Sequence, residues 1–136
     1  MNATRIVVLN VALVAAIGYF GFSGYGEIKD AEKSVHGQLD AINQHNYAKA
    51  YGYYSSGMKK KISEQDLSEL VQKLPVLESK DCTFSSQKIE TASGVVTLEG
   101  SLTGKNGQVA SIAYTLVREN DQWVINGFKI GPPVHG

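Results

Sequence analysis

The spacing of hydrophobic positions changes along this chain, and each change predicts an element. No side chain from Ile6 to Gly26 is charged, and this run opens as IVVLNVALVAAIGYFGF. From Asp30 to Asn46, Ala31, Val35, Leu39 and Ile42 return at helical intervals and define one apolar face. Tyr47, Ala50, Tyr51 and Tyr54 predict a short second helix with an aromatic face. A third helix, SEQDLSELVQKL, opens on Ser63, which has capping-box spacing to Asp66. Leu67, Leu70, Val71 and Leu74 form its buried face, and Pro75 stops it. Beyond Asp81 the period becomes two. CTFSSQKIE, VVTLEGSLT, QVASIAYTLV and WVINGFKI predict four antiparallel strands, with turns at GKNG and ENDQ. Val96, Leu98 and Leu102 share one strand face, and Thr97, Glu99, Ser101 and Thr103 the other. Ala110, Ile112, Tyr114 and Leu116 fall together on the next strand, and Gly127 marks a bend or bulge in the last.

The uncharged run holds 21 residues, enough to cross a hydrocarbon core as a helix. Residues 1–5 form a short leader whose one charged side chain is Arg5, so 6–26 reads as a transmembrane anchor with a cytoplasmic leader. A signal peptide shares the leader and the apolar core, but no clear Ala-x-Ala site precedes Glu27. No cysteine stands at the end of the run, which excludes lipoprotein processing of this sequence. Anchor and signal readings both place residues 27–136 outside the cytoplasm. Ala12, Ala15, Gly18, Gly21 and Gly24 recur every third position, and Asn10 adds a polar group. These six are the candidate helix–helix interface within a bilayer.

Thirteen basic and thirteen acidic side chains leave no net charge, so no long-range field favours nucleic acid. Lys59-Lys60-Lys61, the only basic run, reads as a solvated face. Cys82 is the single cysteine, which rules out an intrachain disulfide and a thiolate metal cluster. His36 and His45 lie nine residues apart and outside the apolar face, without a metal motif. No metal or cofactor is expected, and no catalytic set is legible.

The element order, with QLDAINQHNYAKAYGYYS closing the first helix, the capped SEQDLSELV and the terminal DQWVINGFKI after ASIAYTLVRE, resembles the NTF2-like superfamily, the cystatin-like cone fold. The similarity is to small membrane-anchored bacterial members of unknown function. It implies an α+β domain over 27–131, with helices packed on a curved four-stranded antiparallel sheet, and a tail over 132–136. It also implies a bacterial inner-membrane protein, single-pass, with its domain in the periplasm or outside.

Enzymes of that superfamily place acidic or histidine residues inside the cone, where this sequence offers Ala110, Ile112, Tyr114 and Leu116. The expected function is therefore a membrane-tethered, non-catalytic interaction or assembly domain. Its partner is a membrane or extracytoplasmic protein, a second copy included. The contact surface is the polar strand face of Thr97, Glu99, Ser101 and Thr103 with Ser111 and Thr115. The alternative is an apolar-ligand pocket lined by Tyr51, Tyr54, Phe84, Tyr114, Trp123 and Phe128. An enzyme, the remaining class, requires Asp40, His36 or Glu90 to gather in a cavity.

Overall fold

In a computed structural model of the chain, residues 7–10, 25–90 and 92–135 are described. The first helix, α1 (Tyr25–Asn43), begins five residues before the apolar periodicity does. Ala31, Val35, Leu39 and Ile42 are buried as one face. The helix ends where His45 turns left-handed (φ 58°), and its last carbonyls accept from His45 N and Asn46 N at 2.9 Å each. The Asn46 side chain then caps α2 (Tyr47–Tyr51).

A further short helix, α3 (Ser56–Lys59), has no counterpart in the sequence pattern. Its cap is Ser55, whose hydroxyl accepts from Met58 N at 3.0 Å. In α4 (Glu64–Lys73) the capping box is complete. Asp66 N donates to Ser63 Oγ at 3.0 Å and Ser63 N to Asp66 Oδ2 at 2.9 Å. Pro75 opens a single 3-10 turn, Pro75–Leu77, leading into the sheet.

Strands β2 (Ser79–Glu90), β3 (Val95–Gly104), β4 (Gln108–Glu119) and β5 (Gln122–Ile130) form an antiparallel meander. The β3–β4 turn uses Gly107 at φ +88°, a conformation that glycine adopts without a Cβ penalty. The β4–β5 turn places Asn120 and Asp121 both left-handed, the two-residue arrangement that follows strand twist. Bulges interrupt β2 at Ser79/Asp81 and Phe84/Ser86, and leave Asn126 as the extra residue in β5. Such insertions bend a sheet and increase its twist.

Val96, Leu98, Leu102, Ala110, Ile112, Tyr114, Leu116, Ile125 and Ile130 are buried with the apolar faces of α1 and α4. Helices on one face and solvent on the other make this an α+β domain. Beyond Ile130, within the tail, β6 (Val134–His135) pairs with Gln108–Val109 of β4.

One expectation for the amino terminus changes. Val7–Asn10 form a strand, β1, antiparallel to β5, giving the order β1-β5-β4-β3-β2. The first residues of the uncharged run satisfy their backbone groups at a sheet edge, and its last two belong to α1, so 6–26 is not one continuous helix here. Asn10, one of the six candidate interface residues, pairs through its backbone with Gly127. Ala12, Ala15, Gly18, Gly21 and Gly24 lie outside the described residues. No helix among the described residues is long and apolar enough to cross a membrane.

Candidate functional site

Alternation along the meander turns one set of side chains away from the helices. Thr97, Glu99, Ser101 and Thr103 of β3 project to that open side, as do Ser111, Ala113 and Thr115 of β4. Register aligns them in rows across the sheet. Thr97 pairs with Thr115, which pairs with Gly127; Glu99 pairs with Ala113, which pairs with Lys129; Ser101 pairs with Ser111. The floor is built from small residues, and the charges of the middle row stand at its ends.

Two shallow depressions of about 450 and 220 Å³ share Glu99, Ala113 and Lys129. The first also reaches Ser111 and Gly131, and the second reaches Thr97, Thr115 and Gly127. Glu99 and Lys129 stand two strand spacings apart, about 10 Å between backbones, on either side of Ala113. Both are exposed, and neither makes an ion pair among the described residues. The β3 and β4 members of this face follow directly from period-two spacing. Gly127 and Lys129 do not, because the extra residue Asn126 shifts the phase of β5.

A third concavity, of about 620 Å³, lies on the helical side between α1, the end of α2 and the β4–β5 turn. Asp30, Ser34, Lys49, Tyr53, Arg118, Asp121 and Trp123 line it. Glu27 organises its base by accepting from Arg118 Nη1 at 3.0 Å and from Trp123 Nε1 at 3.1 Å. The Arg118 guanidinium also lies 5.6 Å from the Trp123 ring centre, a cation–π contact. Ser34 Oγ donates to the Trp123 carbonyl at 2.7 Å, joining α1 to β5. Two cations and two carboxylates line the groove, so it carries no strong field for one charge sign. The Glu27–Arg118–Trp123 grouping spans 96 positions and has no sequence signature.

The six aromatics expected to line a ligand pocket are not gathered around one of these concavities. Tyr54, Tyr114, Trp123 and Phe128 are buried in the core, and Tyr51 and Phe84 pack against it. Burial pushes the Tyr54 phenol up to about 12 and the Tyr114 phenol well above its ordinary value. Cys82 is half-buried, and desolvation, with Asp81 and Glu32 nearby, lifts its thiol to about 12. The neutral thiol is the form this setting favours at physiological pH.

His36 and Asp40 are exposed on α1, where His36 meets Phe84 edge-on. Glu90 lies at the end of β2 and accepts from Ser93 Oγ at 3.0 Å. His45 Nε2 and Glu78 Oε2 pair at 3.0 Å at the exposed end of α1. No cluster among the described residues has the composition of a metal site.

Residues 27–133 match the family described as a domain of unknown function, DUF4864. The chain belongs to the DUF4864 family. The match starts at Glu27, the groove's organising carboxylate, and covers α1 from that residue on, α2 to α4, the whole meander, the groove and both depressions. The boundary separates the DUF4864 domain from the uncharged run. No curated protein matches the chain.

Proposed function

We propose that this DUF4864 protein is a membrane-tethered, non-catalytic assembly domain displayed outside the cytoplasm, which pairs with a second copy through its open sheet face. The supporting observation is the row Glu99–Ala113–Lys129. A copy turned by 180° about the strand direction brings Glu99 opposite Lys129 at both ends of the row. The small floor residues allow two sheets to approach at the ordinary spacing of about 10 Å. Such an isologous contact satisfies both charges twice, and a strand's backbone need not move to make it. The tether is the uncharged run 6–26, long enough to span a bilayer and resembling the amino-terminal segments of small anchored members of the cone fold.

The test uses the full chain in lipid nanodiscs or mild detergent, with mass read by light scattering. Wild-type protein is expected to be dimeric. Glu99→Lys and Lys129→Glu are each expected to be monomeric, and their mixture to restore the dimer. A monomeric wild type, or single variants that dimerise as well as wild type, overturns the pairing. Intact mass and protease protection of a carboxy-terminal tag decide the tether. A mature chain starting near Glu27, or a tag in the cytoplasm, overturns it.

A further inference from the structure

The two margins of the sheet are protected in different ways. The outer edge of β2 carries Lys80, Asp81, Lys88 and Glu90, all exposed, and two bulges. Charge and irregularity of this kind discourage another strand from adding. The outer edge of β5 has one bulge, at Asn126, and is covered along its length by other parts of the chain. Its first half is covered by the chain itself: Ile125 N donates to Tyr53 O, and Ser55 N to Ile125 O, each at 2.8 Å. Its second half, Gly127–Ile130, has Lys129 as its only charged residue and is covered by Val7–Asn10. That register runs Val7 to Ile130, Val8 to Lys129, Leu9 to Phe128 and Asn10 to Gly127.

The same four residues belong to the uncharged run. The full run gives a helix of about 32 Å, which matches a hydrocarbon core of about 30 Å. Without residues 6–10, the remaining 16 give about 24 Å, which is too short. Val7–Asn10 therefore serve the sheet edge or the membrane span, and not both together.

We propose that Gly127–Ile130 is a strand-acceptor site for extended, uncharged, apolar peptide, occupied within the chain by Val7–Asn10 and vacated when the run enters a bilayer. Main-chain hydrogen bonds supply the recognition, as in other strand additions. Insertion into lipid then opens a window of about one strand length, bounded on one side by the Tyr53–Ser55 bridge. The exchange of occupant rests on the membrane tether proposed above; acceptance of a strand by the edge does not.

The test follows hydrogen exchange at Gly127–Ile130 in the full chain. In lipid-free buffer, Val8→Pro is expected to speed exchange there by about tenfold or more while leaving β3 protected. Proline cannot donate to the ladder and is excluded from paired strand positions. Leu9→Pro tests the alternate hydrogen-bonding phase. A blocked peptide of the sequence IVVLNV, added to either variant, is expected to restore protection. Wild-type chain in phosphatidylcholine–phosphatidylglycerol nanodiscs is expected to behave as the proline variants do, and to respond to the peptide. Unchanged protection in both variants, or a bare window that the peptide does not protect, overturns the acceptor site. An inserted chain whose window stays protected overturns the exchange of occupant. A chain that never inserts defeats the tether, and with it the exchange, while the lipid-free arm still decides the acceptor site.

Discussion

Adding one methyl group at Gly100 tests the packing of the bulged β2–β3 pair. A Cβ at this position meets the Thr83 carbonyl oxygen far inside contact distance, with Phe84 Cα at 2.7 Å and Thr83 C at 2.8 Å. All three atoms are backbone, so no rotamer change relieves the overlap. Relief requires β2 to move away from β3 beside the Phe84/Ser86 irregularity. Overpacking typically costs 1–3 kcal/mol, and a main-chain obstacle puts Gly100→Ala near the top, at about 3 kcal/mol. For a domain of this size that is a fall in Tm of roughly 12 °C. Gly107→Ala is the internal control. Gly107 has φ +88° and no atom within 4 Å of an added Cβ, so only backbone strain opposes it, at about 1–2 kcal/mol. Urea unfolding of both variants, followed by circular dichroism, gives the comparison at a common slope. A smaller loss for Gly100→Ala than for Gly107→Ala refutes the steric argument.

Trp123→Ala is expected to cost about 3–5 kcal/mol in denaturant unfolding, since the ring is buried in the core and its indole N–H is held by Glu27. A cost under about 1 kcal/mol would place it among surface changes. Ser63→Ala removes the capping-box acceptor of α4 and is expected to lower stability by about 1 kcal/mol. Alanine at the exposed neighbour Glu64, measured beside it, is expected to change little. In alkali, Tyr54 and Tyr114 hold their protons above the unfolded value of 10, so the folded state binds more protons than the unfolded one. Their contribution is intact below about pH 10 and is lost as pH rises toward about 12 for Tyr54. Absorbance at 295 nm is expected to show these two phenols ionising only with unfolding; ordinary titration with the fold intact would contradict their burial.

The elements that the sequence makes legible are those whose determinants are local. Ser63 and Asp66 specify the start of α4 by themselves, and alternation from Val95 to Leu116 identifies both faces of β3 and β4. α3 is different. SGMK has no apolar period, and its place depends on Ser55, buried and donating to Asn126 Oδ1 at 2.7 Å across 71 positions. The same Asn126 breaks the alternation of β5, so Lys129 falls on the open face where a simple count from Trp123 is no guide. Half of the candidate face was thus readable, on Thr97–Thr103 and Ser111–Thr115, while its second charge was not. Likewise, Val7–Asn10 carry a composition that suits a span and a strand equally, and only the edge of β5 distinguishes the two.

The bridge between Tyr53–Ser55 and Ile125 also has a consequence for how the chain is made. It ties the backbone of the helical half to the last long strand, about 70 residues later in synthesis. A ribosome adding 5–20 residues per second delivers that strand roughly 4–14 s after Ser55. Throughout this interval the apolar faces of α1 and α2 have no completed sheet to cover them. A chain lacking everything from Gln122 onward therefore lacks the strand that ties its helical half to the sheet.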